Sequence, residues 1–460
     1  MNRLSIFAAA CEVPNRLALI TEKDEFTYAE LAALTLSRAA ALDDFRDPLL
    51  LEPRLDLDTL LWMYAASAAG IPFLALHAQA TAHERAAVQA LTGARDKPSL
   101  DFATTTRFVE RKIDPENAHS LMLTSGSTGA PKVVVLSRRA VLASAAASES
   151  NLGLDDDERW LLCLSLSHVA GLSIVVRMLA ARRSVVLFES GAAGLLSRTT
   201  ELGLRIHEQR VTLVSLVPTL LERLLRDGFQ PPPKLRAVLL GGAGCSPQLA
   251  ERARRVGVPL LTSYGLTETG SQITARRYEE RHSLLPQLDE CVSSGHPLPG
   301  VEIRILGERI AIKAEALLSG YVGATTHAVD PDGWFVTNDR GVLGTQGELY
   351  VLGRTDSVIV SGGENVDPEE VERALRMLPE VEDACVFGLP CVEFGQRVVA
   401  VVVPAANTAP FTIEYLTLQL RSRLARFKLP RSLVITEVLP FTTSGKLDRR
   451  TCATRFAPFC

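Results

Sequence analysis

Eight cysteines are spread over 460 residues without a single Cys-x-x-Cys pair. Neither a zinc site nor a disulfide framework is indicated, and a reducing, cytoplasmic setting is expected. Charge of one sign is not in excess either. Lys and Arg number 49 against 53 Asp and Glu, a net charge of −4, which gives no electrostatic preparation for nucleic acid. Long unbroken hydrophobic runs are missing too. The most apolar segment, Trp160 to Ala181, is interrupted by His168, Gly171 and Arg177, so no membrane span is expected. Near the start, Arg3 precedes an apolar-leaning run from Leu4 to Cys11. That run is at the short limit for a secretory signal and polar residues follow from Glu12, so no cleaved signal is expected.

What remains is an ordinary globular composition, 47% hydrophobic and 22% charged, on a chain too long for one small core. Two or more domains are expected. Thr27, with Glu30 three residues on, starts a helical pattern as a capping box; Asp56 to Gly70 repeats the theme, and Ile71 to Leu76 reads as a short buried strand. Further on, Arg138 to Ser148 reads as an Ala-rich helix. Trp160–Leu166, Val211–Val217 and Ala237–Leu240 read as buried strands of a doubly wound α/β domain. Gly295 to Gly300 and Gly320-Tyr321 read as turns. Asp367 and Pro368 open a helix with acids in its first turn. Val398–Val403 and a helix around Leu416–Leu424 belong to a smaller C-terminal domain.

The stretch that carries chemistry first is Leu121 to Val135. Apolar, β-prone residues flank a loop in which Gly126 and Gly129 let backbone N–H groups approach oxyanions, Thr124, Ser125, Ser127 and Thr128 offer hydroxyl donors, and Lys132 adds a cation. A Walker A loop would end Gly-Lys-Ser/Thr, and Pro131-Lys132 stand there instead. In isolation the same composition also suits a plain surface loop.

The run from Thr124 to Lys132 resembles the Thr-Ser-Gly-Ser-Thr-Gly-x-Pro-Lys signature of the adenylate-forming enzymes, the superfamily of acyl-CoA synthetases, luciferases and peptide-synthetase adenylation domains. Two further motifs resemble the same family: Tyr264-Gly-Leu-Thr267-Glu268, and Gly445-Lys446 near the C-terminus. The resemblance implies ATP, Mg2+ and CoA as cofactors or co-substrates and a small-molecule carboxylic acid as substrate. It implies a large doubly wound domain, residues 1–355, and a small α+β lid, residues 356–460, with the active site between them.

Residue by residue, the resemblance gives Gly242 and Ala243 as a wall of the adenine slot and Tyr264 as its stacking partner. Thr267 contacts the α-phosphate and Glu268 holds Mg2+, a hard cation that takes few protein carboxylates. Gly333 to Asp339 resembles the family's Gly-Trp-x-x-Thr-Gly-Asp. Asp339 is then the ribose ligand, and Asn338 replaces the commoner Gly at a position where tolerance of φ > 0 is expected. Arg354 corresponds to a ribose- or phosphate-contacting Arg, Asp356 to the hinge, Gly362 and Gly363 to the pantetheine channel, and Lys446 to the lysine of adenylation.

For the acid itself, His168 corresponds to a position beside the acyl group, although a lone His is as readily structural. The absence of Asp and Glu between Leu161 and Leu172 removes the partner an amino acid substrate would need. Arg177 sits in an apolar helical run; either it reaches water or an internal partner, or it faces the pocket and meets a second negative group. Ser271 can line the same pocket or be an ordinary polar position. Together with the compact length, these features look most like members that activate an aromatic keto-dicarboxylate. Other aryl- or acyl-CoA ligases and carrier-protein-loading enzymes remain alternatives, and oligomeric state is not legible.

Overall fold

The computed structural model describes residues 2–459 apart from 78–79, 101–107, 125–131, 190–194, 289–290, 362–363, 392–393, 407, 410, 443–444 and the side chain of 365. By its contacts the chain divides into two compact units. The first comprises Met1–Leu285, Ser294–Ile303 and Ile312–Phe335; the second comprises Pro286–Ser293, Arg304–Ala311 and Val336–Cys460.

At the centre of the first unit, the strands Leu260–Leu266, Ala237–Leu240, Leu213–Leu216, Arg159–Leu162, Ser184–Leu187 and Leu17–Ile20 lie side by side in that order, all parallel. Parallel neighbours require crossovers, which the helices Thr199–Glu208, Pro218–Arg226 and Pro247–Arg255 supply. Coverage by helices explains why these strands read as nearly continuous apolar runs rather than alternating ones. Leu161, Val186, Val214 and Val238 share one core with Leu202, Leu220 and Leu249 of those helices. The doubly wound α/β reading holds. Antiparallel strands extend the sheet at both edges, Ser271–Ala275 at one and Glu25–Thr27 at the other. A second sheet in this unit orders Gly320–Tyr321, Lys132–Ser137, Ala118–Thr124, Phe73–Ala75 and Leu49–Leu51.

The local signals of the sequence are mostly realised. Thr27 accepts from the backbone N–H of Glu30 while the Glu30 carboxylate accepts from that of Thr27, closing the capping box. Asp56 caps Leu57–Ala69, and Gly70, at φ 74°, ends it.

Four local expectations need correction. The strand from Trp160 stops at Leu162, because Ser165 starts a turn: its carbonyl accepts from His168 N and its hydroxyl from Ser167 N. Gly320-Tyr321 is not a turn but a two-residue strand, paired with Val135 and Val134 across the exposed edge of Lys132–Ser137. His296-Pro297 likewise pairs with Ala275 and Thr274 between glycines of positive φ. The helix expected around Leu416–Leu424 runs earlier, over Ile413–Leu420, because Thr412 provides its N-cap.

The helix Val169–Ala181 begins tight against that turn. A Cβ on Gly171 would lie 2.4 Å from the Ser165 carbonyl oxygen and 2.6 Å from that of Leu164, backbone atoms that cannot swing away. Gly171→Ala is expected to lower stability by about 1–3 kcal/mol, read as a lower urea midpoint at unchanged slope. An unchanged midpoint would mean that the helix start shifts freely.

The second unit carries a long antiparallel hairpin, Val381–Cys391 with Gly395–Pro404. Ala384, Val386, Val398, Ala400 and Val402 face one core, shared with Val371 and Leu375 of the helix Pro368–Arg376. Cys385, Phe387, Val399, Val401 and Val403 face a second, shared with Cys452 and Phe456 of the helix Arg449–Phe456. Successive residues point to opposite faces and both faces are covered, so Val398 to Val403 carries no polar position. Glu372, 3% exposed, accepts from Arg449 through both oxygens at 2.9 and 3.0 Å, which fixes the C-terminal helix to Pro368–Arg376.

Candidate active site

In the first unit, the strand Ala118–Thr124 ends where residues 125–131 begin, and the strand Lys132–Ser137 follows them. Thr124 and Lys132 face each other as the last pair of the ladder, with Thr124 Oγ1 donating to the Lys132 carbonyl at 3.4 Å. Ser125, Gly126, Ser127, Thr128 and Gly129 lie outside the described residues. Lys132 is exposed, its Nζ 5.4 Å from the centroid of the Tyr321 ring.

Two neighbouring parallel strands bring the next residues to one sheet edge. Ala237–Leu240 ends in Gly241-Gly242-Ala243, and Leu260–Leu266 runs alongside with Leu240 opposite Thr262. A Cβ on Gly241 would lie 2.8 Å from Ser263 Oγ, so the glycine lets the loop cross directly over its neighbour. Gly242, at φ 81°, and Ala243 are exposed, and Tyr264 is half-buried. Carboxyl ends of parallel strands are where open α/β sheets take ligands.

Beyond Tyr264 the chain folds into a short 3-10 turn, Thr267–Thr269, around a fully buried hydroxyl. Thr269 Oγ1 accepts from Leu266 N at 2.9 Å and donates to the Ser271 carbonyl at 2.7 Å. Ser271 is held at φ 123°, a conformation that side chains rarely adopt, and a Cβ on Gly265 would lie 2.0 Å from the Ser271 oxygen. Thr267 and Glu268 are thereby presented half-buried. The Glu268 carbonyl accepts from Leu318 N at 2.8 Å, and its carboxylate Oε1 accepts from Tyr321 Oη at 3.0 Å. Burial and the adjacent Glu268 push the Tyr321 hydroxyl well above its ordinary pKa, so it stays a donor.

Among the described residues no three His, Cys, Asp or Glu side chains gather into a metal cage. Glu268 offers a single hard carboxylate next to the Thr267 hydroxyl. That donor set fits Mg2+ arriving on a polyphosphate, an ion that keeps most of its sites for phosphate and water.

A narrow cavity of about 10 Å3 lies behind this turn, walled by Leu136, Val141, Val169 and Leu172, with Ser144, Ser173, Gly270 and Arg177 also lining it. Arg177 is 4% exposed. Its Nε and Nη2 are buried and make no hydrogen bond. The guanidinium lies 5.3 Å over the Trp160 ring, and Trp160 Nε1 donates to Ser215 Oγ at 3.2 Å. Burial pulls the Arg177 pKa down to about 9, which leaves the group charged at neutral pH. A buried charge without a carboxylate partner is costly unless something arrives to meet it. Ser271 adjoins the cavity through Gly270 and His168 through Val169. The His168 ring is half-buried and 6.3 Å from that of His77.

In the second unit, Asp339 is buried and accepts from Arg354 Nη1 at 3.0 Å. The other side of the same guanidinium forks onto Asp356, Nε to Oδ1 at 2.8 Å and Nη2 to Oδ2 at 2.7 Å. That hydrogen bonding holds the Asp356 carboxyl below its usual range. Asn338 needs no positive φ. It lies inside the strand Phe335–Leu343, with its side-chain oxygen accepting from Arg309 Nη2 at 3.0 Å, so the expected backbone reason for Asn does not apply. Lys446 sits exposed on a tight turn: Thr442 N donates to the Lys446 carbonyl at 2.7 Å, and Gly445 takes φ 76°. Gly362 and Gly363 lie outside the described residues.

Sequence reasoning missed Tyr321, read as part of a turn, and the Thr269 knot. A polar residue directly after Thr267-Glu268 was a usable signal for the second; nothing local marked the first.

Two family models match the chain, one for AMP-binding enzymes over residues 95–315 and one for the AMP-binding enzyme C-terminal domain over residues 370–446. A 2-succinylbenzoate–CoA ligase from Bacillus velezensis is 32% identical, with 95% of this chain and 94% of that protein covered. Among solved structures, the o-succinylbenzoate CoA synthetase of Bacillus subtilis with its acyl-adenylate intermediate superposes with a TM-score of 0.84 at 29% identity, covering 98% of this chain and 97% of that one. The same Bacillus subtilis enzyme with ATP and magnesium ion gives 0.84 at 29%, covering 98% of each chain.

Proposed function

Because this chain belongs to the AMP-binding enzyme family, we propose that it is an ATP-dependent acid–CoA ligase acting on 2-succinylbenzoate, the ligase step of menaquinone biosynthesis. The observation that carries the choice of acid is Arg177, a buried guanidinium with unbonded N–H groups in a cavity whose lining holds no other charged side chain. A monocarboxylic acid spends its one carboxylate on phosphorus and leaves that charge unanswered. An acid with a second carboxylate would meet it.

In the first half-reaction a carboxylate oxygen of the acid bonds to the α-phosphorus of ATP, and the bond to pyrophosphate breaks. No protein nucleophile is required, only alignment of two anions and neutralisation of the phosphoryl oxygens. Gly242, Ala243 and Tyr264 take the adenine, Asp339 the ribose hydroxyls, and Arg354 the ribose or phosphate. Residues Thr124 to Lys132, with Thr267, hold the phosphates. Mg2+, held by Glu268 and the nucleotide's own phosphates, supplies further charge neutralisation when bound. Lys446 serves this step as a point charge between the acid and the α-phosphate. In the second, the CoA thiol bonds to the acyl carbon and AMP leaves. We assign Gly362 and Gly363 to the thiol's channel, residues 1–355 to substrate binding, 356–460 to a lid, and the hinge to Asp356.

His168 and Ser271 complete the acid site in this reading. Among the described residues no helix is long and apolar enough to cross a membrane, which agrees with a cytoplasmic enzyme.

The deciding experiment is mass analysis of products from ATP, Mg2+ and CoA with 2-succinylbenzoate, benzoate, a medium-chain fatty acid or a free amino acid. Succinylbenzoyl-CoA formed far faster than the other thioesters is the expected result. Thioesters of benzoate or the fatty acid alone would leave the ligase chemistry and remove the acid assignment. Pyrophosphate release without thioester would point to a carrier-protein acceptor.

A further inference from the structure

Lys132 and Glu268 carry opposite charges and border the same ring, that of Tyr321, yet no ion pair joins them. Direct contact between two such side chains would leave neither for a ligand. The ring of Tyr321 presents its face to Lys132, within the roughly 6 Å over which a cation is attracted by an aromatic face. Its hydroxyl donates to one oxygen of Glu268 at 3.0 Å, and among the described residues the second oxygen takes no hydrogen bond.

The backbone holds Tyr321 in this place from both sides. Leu318 N donates to the Glu268 carbonyl at 2.8 Å, Ser319 N to the Val135 carbonyl and Val322 N to the Val133 carbonyl, both at 2.9 Å. The segment from Leu318 to Val322 is therefore fastened at once to the turn that presents Glu268 and to the strand that begins with Lys132.

We propose that Tyr321 is a positioning residue that keeps Lys132 and Glu268 apart, leaving the ammonium for nucleotide phosphate and one carboxylate oxygen for the metal that accompanies it. The inference rests on the reading of this site as an ATP–Mg2+ site. A side chain with one face and one donor performs both tasks, and the two can be removed one at a time.

The test is calorimetric titration of the full-length protein with ATP in the absence of any acid, so that no turnover occurs, with and without Mg2+. Tyr321→Phe keeps the ring and loses the hydroxyl. It should bind ATP alone within about twofold of the parent, and lose about tenfold of the gain that Mg2+ confers, the loss expected for one hydrogen bond to a charged acceptor. Tyr321→Leu removes the ring as well, and should weaken binding of ATP alone by about fivefold. A Phe variant with the parent's full Mg2+ dependence overturns the proposal, as does a Leu variant that differs from Phe in neither titration. A parent that binds no ATP in either condition overturns both the proposal and the reading of the site beneath it.

Discussion

Lys446→Ala is expected to slow acyl-adenylate formation by about 10²–10³-fold while leaving thioester formation from supplied acyl-adenylate within about threefold of the parent rate. The turn that carries Lys446 is held by hydrogen bonds from Thr442 N to the Lys446 carbonyl and from Lys446 N to the Thr442 hydroxyl, and by Gly445 at φ 76°. None of these needs the lysine side chain. Truncation removes a charge from an exposed position while these backbone features stay, and urea denaturation of the variant beside the parent checks that the fold is kept. The asymmetry between the two half-reactions follows from the chemistry. A cation between the acid and the α-phosphate lowers repulsion between two anions as they approach, a problem that exists only before the phosphorus–oxygen bond forms. Attack of a thiol on the resulting mixed anhydride faces no such repulsion. Pyrophosphate exchange measures the first step, and single-turnover thioester formation from synthetic adenylate measures the second. Equal loss in both would remove Lys446 from the role assigned to it.

Arg177→Leu should raise the KM for 2-succinylbenzoate by about 10²-fold, the worth of a charge-assisted pair shielded from water, and change that for a matched monocarboxylate by about threefold at most. The same substitution should make the protein more stable. In the unliganded cavity the guanidinium is buried with N–H groups unbonded and its pKa is pulled down to about 9. A base whose folded pKa lies below its unfolded value opposes folding wherever the charged form dominates the unfolded chain, so the penalty is present throughout neutral pH and fades as pH rises through about 9. Leucine carries no such penalty and suits the walls formed by Leu172 and Val176. A gain of about 1–4 kcal/mol in unfolding free energy is expected at pH 7, measured by urea denaturation without ligand. Gain of stability with loss of dicarboxylate preference is the signature of a charge kept for its ligand. Parallel loss of stability and of activity on both acids would mark Arg177 as a structural group.

Much of this was readable before any coordinates because its causes are local. The Thr27 capping box, the Asp56 and Asp367 caps and the apolar strands of the doubly wound sheet each follow from a few neighbouring residues. The two strands that end at Thr124 and begin at Lys132 are of the same kind. What escaped depends on partners distant in the chain. Gly320-Tyr321 carries the signs of a turn, and becomes a strand only because an edge nearly two hundred residues earlier offers free N–H and C=O groups. Arg177 was left between two meanings, since helical periodicity gives a residue's face and not what covers that face. Ser271 holds a positive φ that its own chemistry disfavours, imposed by the Thr269 hydroxyl and by the absence of a side chain at Gly265. Asn338 was given a backbone reason from its type alone, and its actual partner, Arg309, is a strand away.

The residues that wall the acid cavity all fall between Leu136 and Gly270, whereas Lys446 belongs to a unit whose hairpin is covered on both faces by that unit's own helices. On the proposed reading, heritable change in which acid is chosen and heritable change around the lysine draw on separate stretches of the gene. A lineage could move toward a new substrate through a handful of cavity positions while the segment that carries its lysine stays unchanged.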